Sequence, residues 1–489
     1  MRAPLIAVLV AGLLTVPARA DTGDVVRIDT GAVRGTVTAS YRTFQKIPYA
    51  APPVGALRWR DPQPPAAWSG VRDATKPGPI CAQAGWPGAP SSTEEDCLHL
   101  NVTTPAKPGV KRPVMVFVHG GGFTTGSANE YDARTLAPRA GAVVVTINYR
   151  LGAFGYFGYP GLTGSGAFGL ADQQAALRWV RRNAAAFGGD PGNVTLFGES
   201  AGGLSVCAQL TTPRTTGLFH KAIIQSGACQ TSFAEPGGGK WTFWAPREEI
   251  ERLGATTDLG CHDLACLRAL PAQRLVDVAE TFNRPAYGTG ALPFDPIRAL
   301  RDGWFHRVPV LLGTTHDEHT VFTAFDYPDP MDAAGFRSEL TTLFGAKAST
   351  IEARYPLDGD GDARPELAAV LTDRTWACPA AQARTQLARR TSVFGYEYAD
   401  AEAPLMFDGP PFPYRAYHGS ELVSLFDFKL PLTPAQQRLA EYMTAAWARF
   451  TRTGDPGWRH SDVQSLAPGA IRTVNFGSEH RCGVWSDML

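Results

Sequence analysis

The chain has no charge imbalance. Its 489 residues carry 46 basic and 46 acidic side chains, for a formal net charge of zero. Nucleic acids and anionic surfaces call for a net positive field, so neither is an expected partner. Beyond the first residues there is no apolar run long enough to span a bilayer, so no stable membrane anchor is expected. There is no internal repeat and no long low-complexity segment. What remains is 44% hydrophobic and 19% charged, an ordinary globular composition with ample length for a large core.

The first residues read as a secretory leader, residues 1–20. Arg2 is its positive start, residues 5–16 are apolar, and Ala18-Arg19-Ala20 is a small-x-small cleavage site before Asp21. The apolar stretch is shorter than the ~20 residues needed to cross a membrane. No cysteine follows the cut, so a lipid anchor is not expected. Cleavage removes Arg2 and Arg19 and leaves 44 basic against 46 acidic side chains, a net charge of −2. An exported protein can form disulfides, and the eight cysteines are an even set. Local spacing favours Cys81 with Cys97 and Cys261 with Cys266.

One stretch organises the rest. Residues 194–197 are apolar and β-rich, Gly198-Glu199-Ser200-Ala201-Gly202 follows at once, and residues 204–210 suit a helix. That order is strand, tight turn, helix, with a serine at the apex. Gly198 and Gly202 let the turn close without a Cβ against its neighbours, which leaves the Ser200 hydroxyl clear of the sheet. Gly-x-Ser-x-Gly alone is a weak signal; the strand before it and the helix after it give it meaning.

Further strands are expected at residues 113–119, 142–149, 221–225, 308–313 and 393–399, with helices at 167–187 and 434–450. Residues 25–50 alternate as a small antiparallel sheet, and 51–92 read as ordered loop. Strands alternating with helices predict an α/β fold, a large, mainly parallel sheet with helices on both faces. Residues 286–302 and 403–413 read as loops within one domain that runs from 21 to 489.

A serine hydroxyl needs a histidine to take its proton and a carboxylate to orient that histidine. The acid should sit at the carboxyl end of a strand, and the strand at 308–313 runs into Thr314-Thr315-His316-Asp317-Glu318-His319. Asp317 and Glu318 are both candidates. Four histidines follow. His319 is too close to the acid, and His460 and His480 lie in polar, tail-like surroundings. His418, in a turn beyond the late strand, is the expected base. Gly120-Gly121-Gly122 follows the strand ending at His119. The N–H groups of Gly121, Gly122 and Ala201 are the expected oxyanion donors.

No metal or cofactor is expected. His316-Asp317-Glu318-His319 has no partner cluster and lacks the helical H-E-x-x-H spacing. Asp358-Gly359-Asp360-Gly361-Asp362 lacks the twelfth-position Glu of a calcium loop.

Taken together, these stretches resemble the type-B carboxylesterases, the family that includes the cholinesterases and several fungal lipases. The resemblance rests on Phe187-Gly188-Gly189-Asp190 through Gly202, the run Glu95-Asp96-Cys97-Leu98-His99-Leu100-Asn101-Val102, and His119-Gly120-Gly121-Gly122-Phe123. It rests also on Gly313 through Glu318 and on His418-Gly419, and it covers the chain from about residue 25 to residue 485. It implies the α/β-hydrolase fold and ester hydrolysis through an acyl-serine, with Glu318 rather than Asp317 as the acid. It implies the pairs Cys81–Cys97, Cys261–Cys266 and Cys378–Cys482. Cys207 and Cys229 are then left to pair by elimination.

Glu199 is expected to modulate the field or hold water, and Ser226 to support the site from behind. Trp86, Phe123 and Phe322 are expected to line an apolar acyl or alcohol pocket, with Val321 where an aromatic would be expected. Trp86 is one residue out of step with the cholinesterase tryptophan that binds quaternary ammonium, so choline esters are disfavoured. His99 and His319 replace the residues usual in the family at those points. Non-catalytic adhesion domains of neuroligin-like proteins share the fold, but they usually lose a triad member, and all three are present here. The contest is between short-chain carboxylesterase and lipase or sterol esterase. The short, polar middle of the Cys81–Cys97 loop (Ser91, Ser92, Thr93, Glu94) favours soluble small-molecule esters. Monomer and homodimer stay open.

Overall fold

In a computed structural model, residues 23–85, 90–107, 111–357 and 361–488 are described. Residues 1–22, among them the stretch expected as a leader, Trp86 and residues 358–360 lie outside them. The main sheet has eleven strands: β1 Thr36–Val37, β2 Tyr41–Pro48, β3 His99–Pro105, β4 Arg112–Val118, β5 Val143–Ile147, β6 Gly189–Glu199, β7 Lys221–Gln225, β8 Val310–Thr315, β9 Val393–Tyr398, β10 Val463–Ala467 and β11 Ala470–Val474. Their order across the sheet is β11-β10-β9-β8-β7-β6-β4-β5-β3-β2-β1. From β10 to β5 every pairing is parallel, and antiparallel pairings flank that block at both edges.

A parallel block is covered on both faces, so its strands read as nearly continuous apolar runs. Alternate residues serve opposite faces. Val114, Val116, Val118, Leu196 and Ile224 point into one core with Leu177, Trp179 and Val180 of helix α1, Phe168–Asn183. Met115, Phe117, Phe197, Ile223 and Leu311 point into the other, which is closed by Leu439, Met443, Trp447 and Phe450. Helix α2 is Ala201–Thr211, α3 Thr320–Asp326, α4 Arg364–Thr372, α5 Cys378–Ala388 and α6 Pro434–Thr453. Thr433 and Gln436 cap each other reciprocally at the start of α6, and Gly454, at φ 81°, ends it.

Several segments differ from the sequence expectations. Residues 286–302, expected as loop, carry the short strand Ala286–Tyr287 and the helix Pro296–Asp302, whose start Asp295 caps by accepting the Ile297 N–H. Residues 25–50 divide. Val25–Ile28 and Gly31–Arg34 form an antiparallel hairpin in a separate sheet, while β1 and β2 join the edge of the main one. The third strand of the small sheet, Val71–Asp73, comes from the segment expected as loop and pairs in parallel. Strand β8 starts at Val310, two residues later than expected, because Pro309 has no N–H to give to a ladder.

Disulfides join Cys81–Cys97, Cys207–Cys229, Cys261–Cys266 and Cys378–Cys482. Among the described residues, no helix is long and apolar enough to cross a membrane, and no group of three or more His, Cys, Asp or Glu could hold a metal.

Candidate active site

Ser200 sits between β6 and α2 with φ 57° and ψ −124°, a region rarely occupied by a residue with a Cβ. Its N–H donates to the Gln225 carbonyl at 2.9 Å, which ties the turn to β7. The glycines around it are required by contact. A Cβ on Gly202 would lie 1.9 Å from the Val118 carbonyl oxygen, and one on Gly198 would lie 2.6 Å from Gly202 backbone atoms. Ala201 is the first residue of α2, so its N–H has no partner within the helix.

Strand β8 ends at Thr315, and the turn beyond it separates the two acid candidates. Glu318 is fully buried. Its Oε1 accepts the Thr315 N–H at 2.9 Å, and its Oε2 lies 2.5 Å from His418 Nδ1. Asp317 faces another way. Its N–H donates to the Ala416 carbonyl at 3.0 Å, and its carboxylate accepts the Ala416 N–H at 3.3 Å. The neighbouring acid therefore secures the loop that carries His418.

Behind His418, Gly419 at φ 81° leads into the short 3₁₀ helix Ser420–Ser424. The imidazole is walled by Trp376, with centroids 4.5 Å apart, and by Phe322 at 5.2 Å. Nδ1 is held by Glu318, which leaves Nε2 on the opposite edge of the ring. Nε2 has no hydrogen-bond partner and stands 3.2 Å from Glu199 Oε1. Burial alone would lower the His418 pKa. The charges of Glu199 and Glu318, the Glu318 hydrogen bond and the charge of Glu421 together outweigh burial and push it up to about 9. Burial pushes Glu199 up to about 7 and Glu421 up to about 8. Glycine is needed opposite Glu199 too. A Cβ on Gly120 would lie 2.8 Å from its Oε2, and one on Gly419 would lie 3.2 Å from its Oε1.

The glycine loop after β4 turns through Gly121 at φ 98° and Gly122 at φ 61°; the Gly121 carbonyl accepts from the N–H groups of Thr124 and Thr125. Among the described residues, the N–H groups of Gly121 and Gly122 donate to no backbone carbonyl. His119 stacks on Tyr149 at 4.4 Å and braces the loop from beneath.

The expected pocket residues divide. Phe322 stands against His418, whereas Phe123 is fully buried behind the glycine loop, 5.1 Å from Tyr156 and 5.9 Å from Phe243. Val321 packs against Ala324, Tyr414 and Tyr417. Trp86 lies outside the described residues. Ser226, at φ 49°, is fully buried and donates its N–H to the Gly313 carbonyl at 2.9 Å, while its hydroxyl has no partner.

Sequence reasoning missed an aromatic wall. Phe233 lies 5.8 Å from Trp241, 5.8 Å from Phe243 and 5.7 Å from Trp376, linking the back of the glycine loop to the His418 ring. These residues carry no motif. Glu421 was also missed. It is fully buried, accepts from Gln225 Nε2 at 2.9 Å, and its only sequence signal is its place three residues after His418. His319 is buried and accepts the Trp376 indole N–H at 3.1 Å. His480 is not in a tail-like setting at all; it is buried between two carboxylates.

Residues 22–466 match the model of the carboxylesterase family. The chain belongs to that family. It is 35% identical over 465 residues to the para-nitrobenzyl esterase of Bacillus subtilis, covering 89% of this chain and 91% of that one. It is 35% identical over 517 residues to the fumonisin B1 esterase of Sphingopyxis macrogoltabida, covering 96% and 89%. It is 33% identical over 470 residues to the cocaine esterase of Oryctolagus cuniculus, covering 87% of each. A solved structure of PNB esterase superposes with a TM-score of 0.78 at 32% identity, covering 94% of this chain and all of that one. The fold is the α/β-hydrolase fold, and this carboxylesterase is a carboxylic ester hydrolase.

Proposed function

We propose that this carboxylesterase is an exported enzyme for short- to medium-chain or aryl esters, with Ser200 as nucleophile, His418 as general base and Glu318 as the acid that orients the base. The observation that carries this reading is the Glu318 carboxylate 2.5 Å from His418 Nδ1, with Nε2 3.2 Å from Glu199, the residue before Ser200. Ser200 attacks the ester carbonyl as His418 takes its proton. The N–H groups of Gly121, Gly122 and Ala201 receive the oxyanion. The imidazolium, stabilised by Glu318, returns the proton to the leaving alcohol. Water activated by His418 then releases the acid. Glu199 lies beside Nε2 and sets the field there.

The aromatic wall of Phe233, Phe243, Phe322 and Trp376 supports a compact acyl or aryl group, as does the relative named for a para-nitrobenzyl ester. The leader-like residues 1–20 and the four disulfides support export. Residues 21–489 act as one catalytic unit in this reading. The test is hydrolysis of p-nitrophenyl esters from acetate to palmitate. A kcat/KM optimum at short or medium chains supports it; a preference for palmitate or for emulsified lipid esters points to a lipase and overturns it.

A further inference from the structure

On the far side of Trp376 lies a second buried polar cluster. Asp373 opens a single π-helical turn, Asp373–Ala377, between α4 and α5. Such turns interrupt a helix at some cost and tend to mark functional sites. Here the turn has two faces. On one, the Trp376 indole packs 4.5 Å from His418, lies parallel to Phe322 at 5.6 Å, and donates to His319 Nδ1 at 3.1 Å. On the other, the Asp373 carboxylate accepts from His480 Nδ1 at 2.5 Å and from Tyr355 Oη at 2.6 Å.

His480 is only 2% exposed, and its Nε2 lies 2.5 Å from Glu397 Oε1. Each ring nitrogen is taken up by a carboxylate oxygen, so the ring offers neither of them as a second base. Burial opposes the charge, but the hydrogen bonds to and charges of Asp373 and Glu397 lift the pKa to about 10. The other charged or titratable groups facing it are Arg481, 3.7 Å from Asp373, and His316, whose ring is 5.5 Å away and which itself pairs with Asp317 at 3.2 Å. Tyr355 receives the Trp485 indole N–H at 3.0 Å.

The cluster is bound to the site along two routes. The disulfide Cys378–Cys482 joins the residue after the π turn to the second residue beyond His480. Glu397 on β9 pairs with Thr314 on β8, one residue before the Thr315 N–H that holds Glu318.

We propose that His480 is a positioning residue for ester hydrolysis: clamped as a cation between Asp373 and Glu397, it holds the π-helical turn that seats Trp376 against His418. The inference rests on the reading of His418 as the base.

The test is a double-mutant cycle on the full-length, disulfide-intact enzyme with p-nitrophenyl acetate. His480→Gln and Glu397→Gln are each expected to lower kcat by about tenfold while KM stays within about twofold, because the base is displaced and the acetyl group is too small to draw much binding from the Trp376 wall. In combination with Trp376→Phe, either variant is expected to fall no further than the more impaired single variant, since both act through one ring. Unchanged kcat in both variants overturns the proposal, as do losses that multiply with Trp376→Phe. Should His480→Gln fail to fold, the isosteric Glu397→Gln runs the same cycle and decides alone. Ser200→Ala is measured in parallel. Activity retained there defeats the triad reading itself; no activity there with full kcat in Glu397→Gln defeats this inference only.

Discussion

Glu318 Oε2 lies 2.5 Å from His418 Nδ1, across one hundred residues of chain. The adjacent carboxylate, Asp317, bonds the backbone of Ala416 on the same returning loop. Two neighbouring acids thus divide the work: one meets the ring and the other holds the loop that presents it. Glu318→Gln leaves the geometry but weakens the hold on the imidazole tautomer, and kcat should fall by roughly 10³-fold or more. Asp317→Asn should cost about tenfold or less in kcat and about 1 kcal/mol of stability. Steady-state kinetics and urea unfolding of the two variants separate these roles; equal losses in kcat would contradict the division.

The pH dependence of kcat/KM follows from the acids around His418. Burial lowers its pKa, and Glu199 is the first of the charges that raise it past that, to about 9. As the proposed base, His418 works only when neutral, so the acid limb of wild type should lie above the ordinary histidine value of about 6.5. Glu199→Gln removes a charge that favours the imidazolium, so the limb should move to lower pH. A limb that stays or rises would show that Glu199 does not set the base.

Gly202→Ala tests the turn that carries Ser200. The added Cβ would meet the Val118 carbonyl oxygen at 1.9 Å, and backbone on both sides leaves nothing flexible to yield. The variant should lose about 3 kcal/mol or more, or fail to fold, as read by urea unfolding. Near-normal stability would mean that the strand and helix do not approach as described.

Much of this arrangement was legible in the sequence, and particular residues show why. Ser200, Gly198, Gly202 and the glycine loop carry local constraints, because a turn or a close approach dictates residue type at fixed spacing. The parallel strands were legible because both of their faces are buried. Glu318 could be told from Asp317 only by family resemblance, since the choice depends on which way a turn faces. The aromatic wall was not legible, because Phe233, Phe243 and Trp376 come from three separate segments and look like ordinary core residues. His480 was misread because its partners, Asp373 and Glu397, are distant in sequence and nothing in its neighbourhood announces burial.

His480 also predicts an alkaline limit on stability. Its folded pKa, about 10, lies above an unfolded value of about 6.5. The stabilisation it contributes is therefore complete below about pH 6.5 and is lost as pH rises through about 10. Measured as Tm against pH, the gap between wild type and His480→Gln should be widest in acid and should close in alkali. A gap that is constant with pH would mean that the charge of the ring adds nothing to the fold.

The central claim, that Ser200 is the nucleophile of an acyl-serine esterase, is tested most directly by covalent labelling. Wild type and Ser200→Ala are treated with an organophosphate, assayed with p-nitrophenyl acetate, and digested for peptide mass mapping. The account predicts loss of activity in wild type in step with one adduct on the peptide containing Ser200, with neither adduct nor activity in Ser200→Ala. Inactivation with the adduct on another residue, or hydrolysis that survives in Ser200→Ala, would contradict it.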